Sequence, residues 1–158
     1  MPDKHKKYVF SIQNMLTRKK KVNEIHRSSL KEIVFTKEDE VDFGAGIHLF
    51  NEQHFWHAHE CWEKIWQRHS EDERIFFQGI IQLAAAYHHL ATKKSFLGMM
   101  NNFEKAKTKL ELFPKIYLGI NVAFLLEKID EVKIELLALT EQQWSEFDVS
   151  KLPQITLK

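Results

Sequence analysis

The stretch His57-Ala58-His59-Glu60-Cys61-Trp62-Glu63-Lys64-Ile65-Trp66 crowds imidazole, carboxylate and indole groups into a segment that otherwise reads as a buried helix. At about 100° of helical rotation per residue, His59, Glu63 and Trp66 fall on one stripe, one above another. Downstream, Gln78, Gln82 and His89 share a stripe of their own, with the small Ala85 leaving room between them. An antiparallel hairpin folded about Ser70 sets His59 level with Gln82, Glu63 with Gln78, and Trp66 with Arg74. The two polar stripes then face each other.

Three uses of such a cluster stay open. A neutral imidazole at His59 and a carboxylate at Glu63, one turn apart, suit a divalent metal, with His89 as third ligand and water completing the shell; the donor set fits Zn, Fe or Mn. Without a metal, Glu63 can orient His59 as a general base in a ligand pocket, where Gln78 and Gln82 orient a small polar substrate, Arg74 meets an anion and Trp66 adds an aromatic wall. The third use is architectural: a buried hydrogen-bond network that fixes how two helices pack. A metalloprotease reading is excluded, because His59-Glu60-x-x-Glu63 lacks the second imidazole of His-Glu-x-x-His.

Neighbouring residues carry less. His57 and Glu60 point away from the His59 stripe, and His88 lies about 100° off the His89 stripe, as a rim or packing residue would. Trp56, Trp62 and Trp66 read first as core or partner-helix contacts. The sole cysteine, Cys61, reads as a packed thiol, and it has no partner for an internal disulfide. Glycine-rich phosphate loops, Cys-x-x-Cys pairs and Gly-x-Ser-x-Gly elbows are missing from the sequence.

The elements that position these residues are helices. No segment alternates apolar and polar residues for long enough to make a sheet, so the expectation is an all-α, single-domain bundle of about six helices. The helix carrying the motif runs from about His54 to His69. The Ser70-Glu71-Asp72-Glu73 capping box should start the next. That next helix, through Ile75, Phe76, Ile80, Leu83, Ala84, Ala86 and Leu90, is apolar nearly all round and should be the enclosed central one. Another holds Phe96, Met99, Phe103 and Leu110 and stops at Phe113-Pro114, and a further one spans about Lys115 to Leu139 with a break near Asp130. Thr140-Glu141-Gln142-Gln143 resembles another capping box, followed by an extended tail with Pro153. Residues 1–42 read as a polar, lysine-rich helical extension, 43–139 as the bundle core and 140–158 as a C-terminal capping segment and tail.

Twenty-three basic residues against 22 acidic ones cancel, which argues against a surface built for nucleic acid. The Arg18-Lys19-Lys20-Lys21 run, closely followed by acids, reads as a solvated face. With no run of about 18 apolar residues and no signal-peptide pattern, the expectation is a cytoplasmic protein that does not enter membranes. A rival to ligand binding is an interaction module or homodimer, in which the aromatic helix faces dock a partner and the His–Glu pair is structural.

The motif resembles the bacterial and archaeal family known as domain of unknown function 309, whose signature His-x-x-x-Glu-x-x-(Trp/Tyr) here reads His59-x-x-x-Glu63-x-x-Trp66. Leu49-Phe50-Asn51 followed by Ala58-His59-Glu60 is similar to its first block, and Phe77-Gln78-Gly79-Ile80-Ile81-Gln82-Leu83-Ala84-Ala85 to its second, so the resemblance spans roughly Phe43 to Leu126. It implies a small, all-helical fold, and a suggested metal-binding role that would fall on His59 and Glu63. The chain departs from the family pattern at three places: Gln53 stands where glycine is common, His57 where an acid is frequent, and Asn121 where aspartate is usual.

Overall fold

The computed structural model describes residues 19–140 and 142–158, which hold five α-helices: α1 (Lys37–Asn51), α2 (Phe55–Arg68), α3 (Ile75–Thr92), α4 (Phe96–Leu110) and α5 (Val122–Leu137). The all-α expectation holds, with five helices among the described residues. The described part of the polar N-terminal segment, expected to be helical, consists of two 3-10 turns, Val22–Glu24 and Arg27–Ser29, joined by extended chain, with Ile25 and Ile33 pressed into the core. The part of that expected helix before Lys19 lies outside the described residues, as does Glu141 of the last capping box.

α1 begins at Lys37, inside the segment expected to be an extension, because Thr36 and Asp39 form a reciprocal cap: the Asp39 amide donates to Thr36 Oγ1 at 3.1 Å and the Thr36 amide to the Asp39 carboxylate at 3.0 Å. Asp39 is wholly buried and does more than cap. It also meets Arg68 Nε at 2.8 Å and His69 Nε2 at 2.7 Å, while His69 Nδ1 lies 2.9 Å from Glu71. Burial alone would push the Asp39 carboxyl up, yet the Thr36 amide, His69 and Arg68 together hold it below its ordinary value.

This clamp explains why Ser70 does not open a helix as expected. α2 does end at Arg68, but His69 is extended and the Glu71 carboxylate is turned to His69, away from any capping role. The chain passes through a 3-10 turn, Asp72–Arg74, and α3 starts only at Ile75.

α3 is the enclosed helix, with Phe76, Phe77, Ile80, Leu83, Ala84, Tyr87 and Leu90 fully buried. α2 and α4 pack along it on either side, and α1 packs against α2. α1 and α2 approach so closely at Gly46 that a Cβ there would lie 2.2 Å from Trp62 Nε1, which only glycine permits. At the end of α1, Gln53 has φ +64°, the left-handed conformation that a helix stop favours and that suits the glycine common there in the resembled family. Asn51 faces the C-terminal tail: its amide donates to the Ile155 carbonyl at 2.8 Å and its Oδ1 accepts from the Ile155 amide at 2.7 Å.

The helix expected from Lys115 is a correction. Ile116–Tyr117 and Ile120–Asn121 pair antiparallel around Leu118 and Gly119, both at positive φ as a two-residue hairpin turn of the primed type requires. Asn121 Oδ1 then caps α5 by accepting from the Phe124 amide at 3.0 Å, a task that aspartate would perform equally. α5 runs unbroken past Asp130, which holds Lys107 Nζ at 2.8 Å. Thr140 and Gln143 do form the expected reciprocal cap. Among the described residues, no helix is long and apolar enough to cross a membrane.

Candidate functional site

The polar stripe of α3 lies between two neighbours. Toward α2, the Arg74 guanidinium stacks 4.5 Å over the Trp66 ring, which is the level pairing expected from the sequence. Toward α4, Gln82 Oε1 accepts from Lys109 Nζ at 2.7 Å, and His89 packs so near Gly98 that a Cβ there would sit 3.2 Å from its Nε2. Helical phase puts Gln78 and Ala85 between these two sides, on the face of α3 that runs between α2 and α4.

At the far end the register differs from the expected one. Trp56 stacks on His59 with ring centroids 4.7 Å apart and lies 5.4 Å from His88, so His88, and not His89, is the α3 imidazole that meets α2. His88 and His89 have their rings 6.1 Å apart. Burial lowers the pKa of both, and Lys94 lowers both further, His89 and His59 adding to the effect at His88. Each is therefore a neutral ring with one donor and one acceptor nitrogen.

The site's hydrogen bonding is incomplete. Buried side-chain atoms without a partner include His59 Nδ1, Trp66 Nε1, Gln78 Oε1 and His89 Nδ1, all on the two stripes; Tyr87 OH is a fifth, set in the core against Phe50, Phe55 and Phe103. Gln78 is only 6% exposed. Leaving such an atom unpaired costs about 1–3 kcal/mol, and native structures rarely tolerate it without a reason. Glu63 is half-buried and makes no hydrogen bond or ion pair among the described residues, so the His59–Glu63 contact that would orient the imidazole is not formed.

The metal triad does not assemble. Among the described residues, no group of three or more His, Cys, Asp or Glu side chains is gathered as a metal ion needs, so His59, Glu63 and His89 do not make the three-ligand set that their spacing suggested. His89 turns toward α4, while His59 turns toward Trp56. Cys61 is half-buried, and burial pushes its thiol pKa up.

His88 packs against Trp56, in keeping with the rim or packing role that its phase gives it. Sequence reasoning missed one member of the site. Lys109 carried no local signal, being one lysine on an amphipathic helix, and only the fold brings it to Gln82. No curated protein matches the chain. The match to a known family starts at residue 43, where the resemblance also began, and stops short of α5: residues 43–101, which carry the His59 motif and all of α3, match the model of the family described as Domain of unknown function (DUF309).

Proposed function

We propose that the face of α3 between α2 and α4 forms a groove that binds a small polar ligand. The observation that carries this reading is the set of buried polar atoms without partners, His59 Nδ1, Trp66 Nε1, Gln78 Oε1 and His89 Nδ1, on the surfaces that line the groove. A ligand offering an acceptor to the indole and a donor to the amide oxygen removes those penalties on binding. The neutral imidazoles at the other end are groups able to take a proton from such a ligand. The cytoplasmic setting expected from the sequence belongs to the same reading.

A thermal-shift screen of small polyols, carboxylates and phosphate esters tests it. A true ligand at about 100 times its dissociation constant should stabilise the fold by about 2.7 kcal/mol, and Gln78→Met should abolish that gain. Ligands that stabilise wild type and Gln78→Met alike would overturn the groove as their site.

A second reading, the homodimer or interaction module, rests on exposed apolar groups at one end of the groove. Trp56 is 47% exposed and Leu97, beside Gly98, is 70% exposed. Solution mass by light scattering decides it: a dimer in wild type that dissociates in Trp56→Ser supports it, and a monomer removes it.

A further inference from the structure

Lys109 differs from the lysines that the fold pairs with acids. Lys20, Lys107, Lys128 and Lys151 each pair with a carboxylate, on Asp72, Asp130, Glu131 and Glu135. Lys109 is half-buried, and among the described residues its ammonium donates to neutral oxygens, Gln82 Oε1 at 2.7 Å and the Lys105 carbonyl at 3.5 Å. The charges that act on it are Lys19 and Lys105, both cations. Burial first, and then those two lysines, lower its pKa to about 8. Partial burial of a cation among cations is unfavourable unless an anion joins them.

The neutral groups around it are arranged as donors. With its oxygen held by Lys109, the Gln82 amide has an NH2 that meets no acceptor among the described residues. One turn away along α3, about 6 Å, Gln78 Oε1 is a buried acceptor without a donor. A ligand that suits both turns carries an oxyanion at one end and a hydroxyl at the other.

We propose that Lys109 and the Gln82 amide form an oxyanion subsite in the groove, taking the carboxylate or phosphoryl group of a small hydroxylated ligand whose hydroxyl donates to Gln78. This deepens the groove reading and rests on it. The ammonium supplies the charge, the amide supplies direction, and Gln78 discriminates a hydroxylated ligand from its deoxy counterpart, because the deoxy form leaves a buried acceptor unpaired.

Nuclear magnetic resonance of the full chain tests the subsite, with the Gln82 side-chain NH2 and the Trp66 indole N–H as reporters. Inorganic phosphate and acetate are titrated separately against chloride at matched ionic strength, and glycerol serves as an uncharged polyol. The expected result is a saturable shift of the Gln82 NH2 with phosphate or acetate, weakened at least about tenfold, or ~1.4 kcal/mol, in Lys109→Met and unchanged in Lys128→Met. Whichever of the two anions binds tighter identifies a phosphoryl or a carboxylate ligand. Gln82→Leu, which keeps every charge, should weaken binding as well and guards against misfolding of the lysine variant. Anion shifts no larger than those of chloride, or equal in Lys109→Met and wild type, overturn the subsite. If glycerol still moves the Trp66 indole in that case, the groove reading survives alone; if nothing moves either reporter, both fail.

Discussion

Two polar clusters flank α2, and they are built on opposite terms. At its C-terminal end, Asp39 is completely buried yet takes contacts from the Thr36 amide, Arg68 and His69, and His69 is in turn held by Glu71. On the facing stripes of α2 and α3, four buried polar atoms have no hydrogen-bond partner among the described residues. A satisfied buried network holds a fold together, whereas an unsatisfied one subtracts from stability and is kept for some other gain. We therefore read the Asp39 clamp as architecture and the groove as the functional surface, even though the clamp has the stronger charges.

The difference can be broken by mutation, and the largest effect belongs to the clamp. Asp39→Ala strips Arg68, His69 and one backbone amide of their common partner, and should lower the unfolding free energy by about 3–5 kcal/mol, read from urea denaturation. A loss under 1 kcal/mol would show that the clamp is not structural.

Acid provides the next contrast. Because the folded-state pKa of Asp39 is depressed, its contribution is complete above the ordinary carboxylate range and is lost as pH falls through the folded value. Urea midpoints should thus fall between pH 6 and pH 3 more steeply in wild type than in Asp39→Asn. Parallel slopes would place the acid sensitivity elsewhere. A smaller effect attends Glu71→Gln, which keeps an acceptor for His69 on an exposed side chain and should cost about 0–1 kcal/mol by the same assay.

The faces of α2 and α3 were more legible in the sequence than the clamp, for physical reasons. Helical stripes are local, so His59 with Trp66 and Gln78 with Gln82 were legible from spacing, as were the ends of α2 and the enclosure of α3. The Trp66–Arg74 stack was also legible, because a count from the turn places both four residues from Ser70. Which of the adjacent imidazoles His88 and His89 meets α2 depends on the rotation of α3 about its own axis, which counting from the turn does not give. Asp39 and His69 are thirty residues apart and touch only after α1 packs on α2, so no spacing reveals them. The Ile116–Asn121 hairpin was hidden for another reason: two residues per strand give no alternation to detect. Its signal was the turn at Leu118-Gly119, which a helical reading of the segment absorbed.

The most direct test of the claim that the groove sets stability aside for binding is the equilibrium unfolding free energy of Gln78→Met without ligand. Replacing an unpartnered buried amide by an apolar side chain of similar volume should leave the protein as stable as wild type or more so, by about 1 kcal/mol. A loss of about 1–3 kcal/mol would contradict the account, because it would mean that Gln78 is already satisfied in the folded protein and belongs to its architecture.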